Sequence, residues 1–310
     1  MIWLIGNNGM LGQEVERVLR EGGRELVASD REVDITSTRA VEEFFAEHAP
    51  DWLINCAAYT AVDRAEDEPK AAERLNALGP ENLARACATH GAALVHVSTD
   101  YVFDGERSGP YPEDAQPNPI GVYGKTKAEG ERRIAAALDR HIICRTAWLF
   151  GPGAGNFVST MLRLFAERDE LAVVSDQHGR PTYAPDLAGT LVALLDNAEV
   201  AASQSAGVPG SAGAAGPWGA YHFSNSGETT WYEFATEIYR RATLRGLVSS
   251  TCSIRPVTSA EYPTKAHRPA NSVLSTARTE AVLGAPPRPW QEALADYLDA
   301  VESEHRISKP

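Results

Sequence analysis

The stretch Ile2-Trp3-Leu4-Ile5-Gly6-Asn7-Asn8-Gly9-Met10-Leu11-Gly12 decides the fold. A short apolar run of strand length leads into a glycine loop, and the loop opens a helical pattern that continues to about residue 20. Gly6 and Gly9 let the backbone turn and approach a pyrophosphate, which would rest at the N-terminus of the helix. Gly12 lets helix and strand pack closely, and Met10 and Leu11, the first helical residues, join the glycines as cofactor contacts. A glycine triplet alone is weak. Its place between a strand and a helix gives it weight, the alternative being a plain structural turn.

Working outward, the alternation repeats. Apolar runs at 25–29, 52–57, 92–98 and 141–146 follow the first, with helical patterns at 38–47, 69–90 and 122–138 between them. This order predicts an α/β fold, a Rossmann-type doubly wound parallel sheet with right-handed crossovers and helices on both faces. Beyond Gly151 the pattern loosens, with helices expected at 157–167, 185–197, 231–243 and 289–303. The expected division is an NAD(P)-binding Rossmann domain over 1–150 and a smaller C-terminal α/β substrate domain over 151–310, whose chain crosses back to the first. Residues 201–219 collapse to Ala, Gly, Ser and Pro and read as a flexible insertion. The tail from His305 is expected to fray.

A chain of 310 residues suits one large or two intimate domains. Its formal charge of −13 argues against nucleic acid or a membrane surface as partner, since both need a basic face. Cys56, Cys87, Cys144 and Cys252 show no CxxC spacing and read as buried thiols in a reducing compartment. Met1 opens directly onto a strand-like run, and no 18-residue apolar segment follows, so no signal peptide or membrane span is expected and the cytoplasm is the default.

Asp30 ends the second apolar run, where a carboxylate can accept from a ribose diol. Arg31 could instead meet a 2′-phosphate. The two pull in opposite directions, so NADPH or NADH is expected. Asp34 and Ile35 are candidate contacts on the adenine side.

Tyr123 and Lys127 stand at i and i+4 of one expected helix and so share a face, whereas Lys125 at i+2 faces away. A nearby ammonium would lower the pKa of the tyrosine from roughly 10. Such a phenol can protonate a carbonyl oxygen as hydride reaches carbon. The fourth apolar run ends in Ser98-Thr99, at the carboxyl edge where open α/β sheets bind ligands. Thr99 is the candidate to hydrogen-bond the substrate carbonyl; capping the strand exit is the plain alternative for both hydroxyls.

Six segments together resemble the dTDP-4-dehydrorhamnose reductase family. They are Asn55-Cys56-Ala57-Ala58-Tyr59-Thr60-Ala61-Val62-Asp63, Ser98-Thr99-Asp100-Tyr101-Val102-Phe103-Asp104-Gly105, Tyr123-Gly124-Lys125-Thr126-Lys127, Arg145-Thr146-Ala147-Trp148, Asp176-Gln177-His178-Gly179-Arg180-Pro181-Thr182 and Arg268-Pro269-Ala270-Asn271-Ser272. The resemblance spans nearly the whole chain except 201–219. It implies reduction of the C4 ketone of a dTDP-linked deoxyhexulose to dTDP-L-rhamnose, with Thr99, Tyr123 and Lys127 as the catalytic triad. It places Ala57, Ala58, Tyr59 and Asn76 on the cofactor and Thr60 and Val62 on the substrate. It also implies Tyr101 and Trp148 flanking the sugar and Arg268 as a diphosphate clamp. Some relatives bridge a dimer through Mg²⁺ on three glutamates. Glu14 matches the first of these, but Pro185 and Gln291 hold the other places, and Asp186 and Glu292 could substitute only with a register change. No metal is therefore expected, and a monomer or weak homodimer is. Two rivals remain: an epimerase or dehydratase of the same superfamily, and a non-catalytic regulatory subunit. The Asp100-Tyr101 pair, where dehydratases carry Asp-Glu, weighs against the dehydratase.

Overall fold

The computed structural model describes residues 1–153, 155–205, 216–249 and 251–307. Five strands come in the expected order: β1 (Ile2–Ile5), β2 (Leu26–Ser29), β3 (Trp52–Asn55), β4 (Ala93–Thr99) and β5 (His141–Thr146). Three short strands follow, β6 (Leu149–Phe150), β7 (Glu170–Val174) and β8 (His178–Gly179), then β9 (Thr182–Tyr183) and β10 (Gly219–Phe223). The main sheet has the order β10-β5-β4-β3-β1-β2, and every neighbouring pair is parallel.

Alternation along the strands splits them between two cores. Ile2, Leu4, Ile54, Val95 and Cys144 face one side, against Val15 and Leu19 of helix Met10–Glu21 and Leu187, Leu191 and Leu195 of helix Ala184–Ser205. Trp3, Ile5, Leu53, Leu94 and Ile143 face the other, against Val41, Phe45, Leu83 and Ile134. With helices on both faces, β1 is buried along its whole length. The chain moves outward from β1 to β2, then returns to β3 on the opposite side of β1. The carboxyl ends of β1 and β3 therefore diverge into a crevice, the switch point where such sheets hold ligands.

A third core of Phe150, Phe165, Phe234, Trp290, Leu294 and Leu298 lies in the later part of the chain. Helices Phe157–Glu167 and Trp231–Leu244 enter it through capping boxes at Asn156 and Thr230. Helix Ala184–Ser205 packs on the main sheet and β10 pairs with β5 in it.

Three expectations need correcting. The long helix at 69–90 is broken into Pro69–Glu73, a π-helical turn Arg74–Leu78, and Gly79–His90. Pro80 has no N–H to offer the Asn76 carbonyl, which instead lies against Gly130 of helix Val122–Ala137. The insertion at 201–219 is structured at both ends: 201–205 continue a helix, alanine being the best helix former, and Gly219 begins β10. Trp218 packs on Trp52 with ring centres 5.9 Å apart, and the middle of the insertion, 206–215, lies outside the described residues. Helix Trp290–Ile307 also runs through His305, while 308–310 lie outside the described residues. Among the described residues no helix is long and apolar enough to cross a membrane.

Candidate active site

A cavity of about 910 Å³ opens along the carboxyl ends of β1, β3 and β4. At one end lies the glycine loop. Gly6 has φ +80°, and a Cβ on it would stand 2.8 Å from Ala57 N, so only glycine lets the loops after β1 and β3 meet. A Cβ on Gly12 would fall 2.1 Å from the Gly6 carbonyl oxygen, which fixes the close helix packing expected of it. Helix Met10–Glu21 starts at Gly9 without any side-chain cap or acidic residue in its first turn. Its first N–H groups and the positive end of its dipole remain for an anion. The residues present thus fit a dinucleotide diphosphate.

Gly6, Gly9, Met10, Leu11, Gly12, Asp30, Arg31, Asp34, Ile35, Ala57 and Ala58 all line this cavity. Asn8, which sequence reasoning missed, also lines it and donates from Nδ2 to Asp30 Oδ2 at 3.0 Å. Arg31 is exposed and, among the described residues, has no ion-pair partner.

Thr60, Val62, Thr99, Tyr101, Tyr123, Lys127 and Trp148 form the other end. Helix Val122–Ala137 places Tyr123 and Lys127 on one face and leaves Lys125 exposed. The Tyr123 hydroxyl lies near Thr99, and the Tyr123 ring meets the edge of Tyr101 at 5.4 Å. Thr99 Oγ1 donates to Asp100 Oδ1 at 2.9 Å and accepts from Tyr101 N at 3.2 Å. Burial pushes the Asp100 carboxyl up to about 6. Ser98 Oγ is buried with no hydrogen-bond partner among the described residues.

The expected lowering of the Tyr123 pKa is absent. Burial pushes its phenol up to about 12, with the nearby Thr99 hydroxyl acting in the opposite direction. The reason lies in where the lysine points: Lys127 Nζ donates to Val97 O at 2.7 Å and meets His96 Nε2 at 3.1 Å, on β4. Burial also brings the Lys127 ammonium down to about 8.

Trp148 has φ 50°, a left-handed conformation that is strained for an aromatic residue. Its ring is clamped between Trp231, stacked at 3.6 Å and 13°, and Gly179, where a Cβ would come within 2.5 Å of the indole. Trp231 carried no signal in the sequence beyond a helix start.

Three expected contacts stand elsewhere. Asn76 is fully buried in the π-helical turn. It accepts from Tyr59 N at 2.8 Å and donates to Tyr59 O and Thr126 Oγ1, both at 3.1 Å. It thereby ties the loop after β3 to helix Val122–Ala137 from behind. The Tyr59 side chain turns outward and donates to Glu68. Arg268 lies beside Tyr101, but Asp63 holds its guanidinium at 2.8 Å. Glu14 pairs with Arg17 and Asp186 with Arg288. Among the described residues no group of three metal-ligating side chains converges.

The model of the RmlD substrate binding domain matches residues 1–303. A dTDP-4-dehydrorhamnose reductase of Streptomyces griseus is 44% identical over 302 residues, covering 96% of this chain and 93% of the relative. A crystal structure of the corresponding reductase of Clostridium acetobutylicum superposes with a TM-score of 0.86 at 39% identity, over 97% of this chain and 99% of that one. That of Bacillus anthracis, solved in complex with NADP, gives 0.84 at 35% identity, over 96% and 98%.

Proposed function

We propose, from the premise that this chain belongs to the family of the RmlD substrate binding domain, that it reduces the C4 ketone of dTDP-4-dehydro-L-rhamnose to dTDP-L-rhamnose. It is an NAD(P)H-dependent oxidoreductase. The observation that carries the reading is one cavity holding the glycine cradle at one end and the neighbouring Tyr123 and Thr99 at the other. Residues 1–150 would supply the cradle and most of the catalytic wall, with Trp148 and the later part of the chain closing the sugar side.

The reduced nicotinamide supplies hydride when bound. Tyr123 remains a neutral phenol at any working pH and gives its proton to the ketone oxygen. Thr99 orients that hydroxyl. Lys127, when charged, offsets the phenolate that Tyr123 becomes. As pH rises through about 8 it loses that charge, so kcat/KM is expected to fall on the alkaline side. The strained, clamped Trp148 offers a rigid face for the apolar side of the sugar.

The test is oxidation of NADPH and NADH, side by side, with the dTDP-4-keto sugar; no oxidation of either refutes the assignment. Arg31, without an ion-pair partner among the described residues, supports a preference for NADPH, because a charged hydrogen bond to a 2′-phosphate contributes about 1.5–3 kcal/mol. Arg31→Ala is expected to raise KM for NADPH roughly tenfold or more while leaving KM for NADH nearly unchanged. Equal shifts for both cofactors would remove the arginine from the phosphate.

A further inference from the structure

Asn55 closes β3 and His96 lies within β4, both fully buried behind the catalytic wall. Neither takes part in the proton transfer just described. Their hydrogens can be assigned by elimination. Ala57 N–H can only donate, so the atom 3.0 Å from it is Asn55 Oδ1 acting as acceptor. That orientation turns Asn55 Nδ2, a donor, toward His96 Nδ1 at 3.0 Å. His96 Nδ1 must therefore accept, and a neutral imidazole accepting there carries its hydrogen on Nε2. Nε2–H then faces Lys127 Nζ at 3.1 Å. An ammonium has three donors and no acceptor, so this contact is satisfied only by a lysine amine, whose lone pair takes the hydrogen.

Protonation of Lys127 reverses the whole chain. The ammonium needs a bare Nε2, so the ring hydrogen must sit on Nδ1. Asn55 must then present Oδ1 to the ring, and Ala57 N–H gives up the acceptor it has among the described residues. Each charge state of the lysine thus has its own arrangement of four groups. Each contact needs one hydrogen and one lone pair, so the two arrangements are discrete rather than blended.

We propose that His96 and Asn55 are positioning residues that couple the charge on Lys127 to the backbone amide of Ala57, through the tautomer of His96. Ala57 lines the cavity at the point where the loop after β3 crosses Gly6, so the lysine's charge reaches the cofactor cradle. The proposal rests on reading Lys127 as the catalytic lysine. Burial holds the His96 ring well below its ordinary pKa, with Lys127 adding to the effect, so the ring stays neutral and only its tautomer can change. The other ionisable groups around Lys127 are Tyr123 on its own helix, Cys56 after β3, and Glu131 one turn on. The charge of Glu131 is matched by Arg145 of β5.

The test is ¹⁵N spectroscopy of the cofactor-free protein with labelled histidine, titrated from well below to well above pH 8, with His96→Gln identifying the His96 signals. The Nδ1–H form is expected on the acid side and the Nε2–H form on the alkaline side. They should exchange over the pH range in which kcat/KM falls. A single tautomer throughout overturns the coupling. In His96→Gln the lysine gains a carbonyl acceptor with no tautomer to change, so the alkaline limb of kcat/KM should move up by about one pH unit, a tenfold gain in proton affinity; an unmoved limb also overturns the proposal. Tautomer exchange without turnover would leave the coupling standing and remove the catalytic reading; turnover with a fixed tautomer would do the reverse.

Discussion

Tyr123→Phe is expected to lower kcat by about two to four orders of magnitude, the range that a positioned general acid contributes, with reduced-cofactor affinity within about twofold of the original. The substitution keeps the ring that meets Tyr101 edge-on at 5.4 Å and deletes only the hydroxyl. Thr99 and Lys127 are already engaged elsewhere. The hydrogen of Thr99 is already committed to Asp100 Oδ1, and the Lys127 Nζ is held against β4 by Val97 O and His96. Single-turnover measurement with saturating reduced cofactor separates the chemical step from binding. A kcat near the original would remove Tyr123 from proton transfer. Lys125→Ala is the matched control: that side chain is exposed on the same helix, and its loss should change kcat little.

The sequence shows the elements whose cause is local. The β1–glycine–helix unit is legible because Gly6, Gly9 and Gly12 act within one turn of chain. Tyr123 and Lys127 are legible as a pair because helical spacing alone puts them on one face. What the lysine does next is not legible, since Val97 and His96 stand 30 and 31 residues away and reach it only through strand order. The same holds for Arg268, expected on a diphosphate but bonded to Asp63 across a separation of 205 residues. Asn76 misled for a different reason. Its side chain satisfies a backbone turn and a threonine on helix Val122–Ala137, a structural demand that leaves no periodic trace. Trp231 is invisible in sequence because its role is to press against Trp148, whose left-handed backbone is set by the tertiary fold.

The second large effect is expected in stability. Arg145→Met should destabilise the protein by about 3–5 kcal/mol, because removing one partner strands a buried charge. Arg145 and Glu131 have side chains only 6% exposed each, joined at 2.7 Å from Nη2 and 3.0 Å from Nε. The guanidinium also meets His222 Nε2 at 3.2 Å and lies over the Phe103 ring at 5.1 Å. Methionine fills the volume and keeps the ring contact but leaves the Glu131 carboxylate without a counter-charge. A loss of that size is a large share of the roughly 5–15 kcal/mol available to a folded protein. Denaturant titration should show it as a lower midpoint with little change in slope. If the stranded charge is the cause, Arg145→Met combined with Glu131→Leu should recover most of the loss, as apolar replacements of buried pairs generally do. The recovered protein should still differ in activity. Glu131 favours the charged form of Lys127, so without it the alkaline limb of kcat/KM should move below about pH 8 even as the midpoint returns. A double variant no more stable than Arg145→Met would mean that the guanidinium's own contacts, rather than the carboxylate it neutralises, hold β5 to helix Val122–Ala137.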